Sequence, residues 1–279
     1  MFSLPQPPDE EVIDGLPVVR LSEDAEILNT LLPILYPVPS VVPASYEKAL
    51  QLLAMCQKYD MAGVQSSIRT EIKSWGPVVL AGTVAYRAYA ISSSAKLLPE
   101  VETSARHTLD FPMTLEYLSN ELPLFPGWAL RDLVRYRRRC RDGLVSVLQS
   151  SLNSSPATTW AVCSGNAQKN RARSKCLDSF EEDNSQVVRP SAGLPGWLRV
   201  MFSQHIQNLH EPFTDPFLKP SSIRGAYFAA LTTHINSTDC HSCLKEHALK
   251  AETFCRELES KLAQALDKVS ASCDSFLGI

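Results

Sequence analysis

Apolar residues recur along most of this chain at intervals of three and four, the period of an α-helix with one buried face. Ile27, Leu28, Leu31, Leu32 and Leu35 form the first such stripe. Ser22 reads as its N-cap, with Glu23 and Asp24 in the first turn. Pro33 falls inside the pattern and is expected to kink or shorten the helix. A second helix is predicted over 45–59, with Ala49, Leu52, Leu53, Cys56 and Tyr59 inward. A third follows at once on Val64, Ile68, Ile72 and Trp75, and Gly76-Pro77 stops it. Segments 79–91 and 96–109 read as a further helix pair. A long helix is predicted from about Gly127 to Leu152, its seam running through Leu133, Tyr136, Cys140, Leu144 and Val147. Periodicity vanishes over 153–193, a stretch rich in Ser, Asn, Lys and Arg that reads as a linker or mobile loop. It returns in helices over 195–210, around Ile223, Tyr227, Leu231 and Ile235, and from Leu244 to Val269. The fold class is therefore mostly α, with at most one short strand.

That strand is Pro17-Val18-Val19-Arg20-Leu21. A single strand leaves its backbone groups unpaired, and no second convincing strand accompanies it. Either the segment is irregular or its partners lie elsewhere. Residues 3–11, Pro-rich and acidic, are expected to be loop.

Composition narrows the function classes. The 279 residues include 27 basic and 30 acidic ones, a net charge of −3, which argues against a generally basic nucleic-acid binder. No apolar run approaches the length of a membrane span, and Met1–Pro8 has neither the basic nor the apolar part of a signal peptide. An intracellular protein, cytoplasmic or nuclear and not secreted, is expected. Its eight cysteines then stay reduced, with Cys56 and Cys140 as small buried hydrophobes.

Four constellations carry candidate chemistry. His234, Cys240, His241, Cys243 and His247 contain one C-x₂-C and an i, i+4 Cys/His pair, a donor set suited to tetrahedral zinc. The spacing is loose and no second ligand pair stands at finger-like distance, so thiols at a helix start are the favoured reading. Arg131, Arg135, Arg137, Arg138, Arg139 and Arg141 form a basic run suited to an anionic partner. The favoured reading is a solvated face whose aliphatic stems cover neighbouring helices, since the chain is acidic overall and no aromatic interleaving points to base stacking. Lys169, Arg171, Arg173 and Lys175 resemble a weak nuclear-import patch. In the last helix Leu244, Ala248, Ala251, Cys255, Leu258, Leu262, Ala265 and Val269 trace a heptad seam. That seam is expected to pack on the helices at 195–235. No glycine-rich phosphate loop or nucleophile elbow occurs. His107 reads as a helix-packing residue, and Glu181-Glu182-Asp183 as a solvated acidic run. No residue is assigned to catalysis, cofactor binding or metal binding, and no cofactor is expected.

Pro17–Leu21, the helix ending in Leu31-Leu32-Pro33-Ile34-Leu35-Tyr36-Pro37, and the pair of helices split at Lys58-Tyr59-Asp60-Met61 resemble the back half of a BTB/POZ domain. The resemblance is to the large BTB family of mushroom-forming fungi. Tyr86-Arg87-Ala88-Tyr89-Ala90 and Ala105-Arg106-His107-Thr108-Leu109 are similar to the helical stretch that follows the domain there. The resemblance implies four segments: a partial BTB/POZ-like domain at 1–76, a helical extension at 77–152, a linker at 153–193 and a C-terminal helical region at 194–279. It also implies that the partners of the strand at 17–21 lie upstream, Met1 being an internal methionine. Homodimerisation through the usual BTB surface is then not expected. The function implied is a non-catalytic protein–protein interaction module, its partner unidentified. The alternatives are a zinc- or nucleic-acid-binding regulator built on Cys240, Cys243 and His247 with the basic segments, and a degraded paralogue without activity.

Overall fold

The structure is a computed structural model that describes residues 12–18, 21–36, 43–153, 196–210, 222–238 and 241–271. Among these the protein is mostly helical, with ten α-helices. It divides into two compact units, Met1–Gly76 and Pro77–Ile279.

The first unit opens with a hairpin. β1 (Val12–Ile13) pairs antiparallel with β2 (Leu16–Pro17), Val12 opposite Pro17 and Ile13 opposite Leu16. Asp14 (φ 51°) and Gly15 (φ 77°) make the turn, and the right-handed twist of paired strands favours two such left-handed residues. The expected strand over 17–21 is thereby corrected. Its pairing partner at Pro17 is Val12, Val18 belongs to no strand, and Val19 and Arg20 lie outside the described residues. Asp14-Gly15 brings Pro17 a pairing partner from the same chain.

Three helices complete this unit: α1 (Ala25–Leu35), α2 (Tyr46–Lys58) and α3 (Ala62–Trp75). α2 is the central one, burying Tyr46, Ala49, Leu50, Leu52, Leu53, Met55 and Cys56 and packing on both α1 and α3. Ser45 caps it by accepting the Lys48 amide. The α2–α3 turn is a Schellman motif. Asp60 takes the left-handed position (φ 55°), the Met61 amide donates to Cys56 O (2.8 Å) and the Asp60 amide to Gln57 O (3.3 Å). Pro33 sits inside α1, yet the helix runs on to Leu35.

The cap of α1 also differs from expectation. Asp24, not Ser22, accepts the Glu26 amide (3.1 Å). Ser22 Oγ is already engaged, accepting from Lys58 Nζ (2.9 Å) and donating to Glu23 (3.2 Å). Glu23 itself pairs with Lys58 and accepts from the Tyr59 hydroxyl (2.9 Å). These bonds tie the approach to α1 onto the end of α2 and hold the Glu23 carboxyl down at about 2.

The second unit contains α4 (Val84–Ser94), α5 (Leu98–Thr108), α6 (Leu115–Leu118), α7 (Gly127–Asn153), α8 (Gly196–His210), α9 (Ser222–Thr238) and α10 (His241–Ala271), with short 3-10 turns at Pro77–Leu80 and Leu122–Leu124. α7 is the spine. Leu133, Tyr136, Cys140, Leu144 and Leu148 on its seam share one core with Leu198 and Phe202 of α8, Tyr227 and Leu231 of α9, and Leu258 and Leu262 of α10. The long helix and the C-terminal helices therefore bury their apolar faces against each other. The heptad seam of α10 packs on α7 as well as on α9. At that crossing Gly143 faces Ala265 and Val269 with room for a Cβ in ordinary van der Waals contact.

Candidate functional site

The strongest polar constellation among the described residues lies between α4, α7 and the turn that ends α5. A helix C-terminus leaves carbonyls without intrahelical donors. Here those of Thr108, Phe111 and Pro112 turn inward and are met by two side chains. Arg137 of α7 donates Nη1 to Thr108 O and to the Tyr86 hydroxyl (3.1 Å), and Nη2 to Phe111 O (3.1 Å). Tyr86 of α4 places its hydroxyl 3.0 Å from Phe111 O, 3.1 Å from Pro112 O and 3.2 Å from Thr108 O. Arg137 is 2% exposed and Tyr86 fully buried. Burial pushes the Tyr86 phenol up to about 12, only partly opposed by the Arg137 cation. A phenol held there stays protonated at neutral pH and serves as a donor. The positive guanidinium at a helix C-terminus also opposes the negative end of the α5 dipole. The arrangement is a clamp that fixes α5 to α7.

Arg137 thus leaves the basic run. The expected solvated face excludes it, because it lies one turn beyond Leu133 and so on the core side of α7. The Tyr86–Ala90 segment is structural in the same way. The Tyr89 hydroxyl donates to Ala129 O (3.3 Å), and its ring stacks with Phe125. Arg87 grips Glu121 bidentately at 2.7 and 2.8 Å, which pulls the Glu121 carboxyl below its usual range.

Of the other sequence candidates, His107 is half-buried in the last turn of α5. Cys56 and Cys140 are buried thiols, as expected, and Cys255 is a third, pushed up to about 11 chiefly by desolvation. His234 lies on α9, and His241, Cys243 and His247 lie on α10. Cys240 and the side chains of the other four lie outside the described residues, as do Lys169–Lys175 and Glu181–Asp183. Among the described residues no three His, Cys, Asp or Glu side chains gather in a metal-binding group. No helix among them is long and apolar enough to cross a membrane.

A different kind of site lies on α1. This helix carries two apolar stripes. Ile27, Leu31 and Ile34 form the inward one, and Leu31 is its single buried residue. Leu28, Leu32 and Leu35, spaced i, i+4, i+7, form the other. Leu32 is 45% exposed, Leu35 46%, and Tyr36 just beyond 65%. Val12 and Ile13 of the hairpin are also exposed. Packing within the unit needs only one stripe; in the second, Leu28 is half-buried while Leu32 and Leu35 leave apolar surface in water. Its sequence signal was the apolarity of α1 on more than one face.

No protein-family model matches the chain, no curated protein matches it, and no solved structure matches it.

Proposed function

We propose that this protein is a non-catalytic protein–protein interaction module of BTB/POZ type, and that the outward stripe of α1 is where it holds its partner. The observation that carries this reading is the solvent exposure of Leu32, Leu35 and Tyr36 on a helix that already has an inward stripe. Apolar side chains at i, i+4 and i+7 are the pattern by which a helix seats in the groove of another protein, and contiguous exposed apolar surface marks interaction sites. The BTB/POZ part rests on the resemblance of the α2–α3 pair and its Lys58–Met61 turn.

Affinity purification of the full chain tests the reading against L32Q/L35Q. Both changes fall on exposed positions, so the far-ultraviolet circular dichroism should be unchanged. The expected result is one or a few proteins recovered in stoichiometric amount with the wild type and lost with the variant. An identical recovery from both forms would overturn it.

A further inference from the structure

The solvent side of α7 carries an aromatic and cationic face that its core packing does not use. At 100° per residue, Trp128, Arg131, Arg135 and Arg138 fall within about 80° of one another, opposite Leu133 and Leu144. Trp128 is 39% exposed. The Arg131 and Arg135 side chains are 59% and 58% exposed, and Arg138 is exposed too. The run of arginines thus has an aromatic neighbour on its own face, three residues before Arg131. Two of the forks are held in place. The buried Asp132 carboxylate accepts from Arg131 Nε (3.2 Å) and lies 3.6 Å from Arg135 Nη1. One carboxylate therefore orients two guanidinium groups and leaves the face net positive. Asp142, farther along the helix, pairs with Arg141 (2.8 Å).

We propose that the Trp128–Arg131–Arg135–Arg138 face docks an acidic, partly apolar peptide segment of a partner protein. Guanidinium forks match carboxylates bidentately, and Trp128, 39% exposed on the same face, adds an apolar side chain beside them. From Trp128 to Arg138 the helix rises about 15 Å, the span of about four or five residues of extended peptide. A nucleic acid fits less well, since strong binding there needs many phosphate contacts in a broad positive field, and this chain has a net charge of −3. The proposal concerns a different helix from α1 and stands whether or not the α1 stripe binds anything.

Fluorescence anisotropy with the full chain tests it. The probe is a labelled peptide of about twelve residues, rich in Glu and Asp with two Leu and one Phe; a control replaces every acid by its amide, and a uridine oligonucleotide of similar length is the third ligand. The acidic peptide is expected to bind and its amide control at least about tenfold more weakly, the scale of a few charge-assisted contacts. Raising salt from about 0.05 to 0.5 M should weaken binding about fivefold or more, because the charges are exposed. R131Q/R135Q/R138Q should weaken it about tenfold. Should that variant melt early for want of partners to Asp132, R138Q, which disturbs no bond to Asp132, should still weaken binding about twofold to threefold. Absence of peptide binding, binding indifferent to salt, equal binding by R138Q and the wild type, or tighter binding of the oligonucleotide than of the acidic peptide would each overturn the proposal.

Discussion

Replacing Arg137 by methionine is the sharpest perturbation of the second unit. Methionine retains most of the aliphatic stem, so little cavity opens. The change removes the donors to Thr108 O, Phe111 O and the Tyr86 hydroxyl. The phenol has one proton and three carbonyls within 3.2 Å, so it can serve only one of them. Of Phe111 O and Pro112 O one is then left without a donor, at about 1–3 kcal/mol, while Thr108 O keeps the Phe111 amide (3.2 Å). Against this stands the relief of no longer desolvating a guanidinium, a cost of several kcal/mol per buried ion before compensation. The net expected loss is about 1–3 kcal/mol, which lowers the midpoint of a unit of this size by about 2–12 °C. The assay is thermal and urea unfolding followed at 222 nm, where α4–α10 supply most of the helical signal. R137K keeps the charge without the fork and should fall between the two forms. In a double-mutant cycle with Y86F the two residues should couple by about 0.5–2 kcal/mol. An R137M protein within about 0.5 kcal/mol of wild type would refute the clamp.

Three further outcomes follow from particular contacts. Glu23 is held at about 2 by Lys58 and Tyr59, so its carboxylate contributes stability that is present above the ordinary carboxylate range and lost as pH falls toward about 2; E23Q should flatten the acid limb of the first unit's stability between roughly pH 4.5 and 2, seen as pH-dependent melting. A Cβ on Gly143 would stand 3.9 Å from Ala265 Cβ and from Val269 Cγ2, an ordinary contact, so G143A should stabilise the second unit by about 0.5–1 kcal/mol through helix propensity, read from the urea midpoint. Leu262 is fully buried in the core shared with α7, so L262A should cost about 2–5 kcal/mol in the same titration.

Much of the helical framework was legible because its signals are local. The stripes through Val64–Trp75 and Leu133–Leu144 and the stop at Gly76-Pro77 each depend on neighbours within a few turns. The hairpin is equally local, since Asp14-Gly15 between Val12-Ile13 and Leu16-Pro17 is a strong turn signal, but its strands are only two residues long and the β-branched run at 17–21 is the longer apolar stretch. The cap of α1 was displaced by a distant residue, Lys58, which engages Ser22 and Glu23 and leaves Asp24 to take the amide. Arg137 was missed for a similar reason. Its position one turn after Leu133 places it inward, but a buried cation makes sense only once the carbonyls of Thr108 and Phe111 are known to face it. The outward stripe on α1 was visible as apolarity, whereas its exposure was not, because the same residues read equally well as core.

That stripe is the centre of the functional account, and site-specific photo-crosslinking in cells tests it most directly. A photoreactive residue at position 35, on the outward stripe of α1, is compared with one at Lys73, exposed on α3. The account predicts a discrete adduct with one partner polypeptide from position 35 and none from position 73. No adduct from position 35, or the same adducts from both positions, would contradict it.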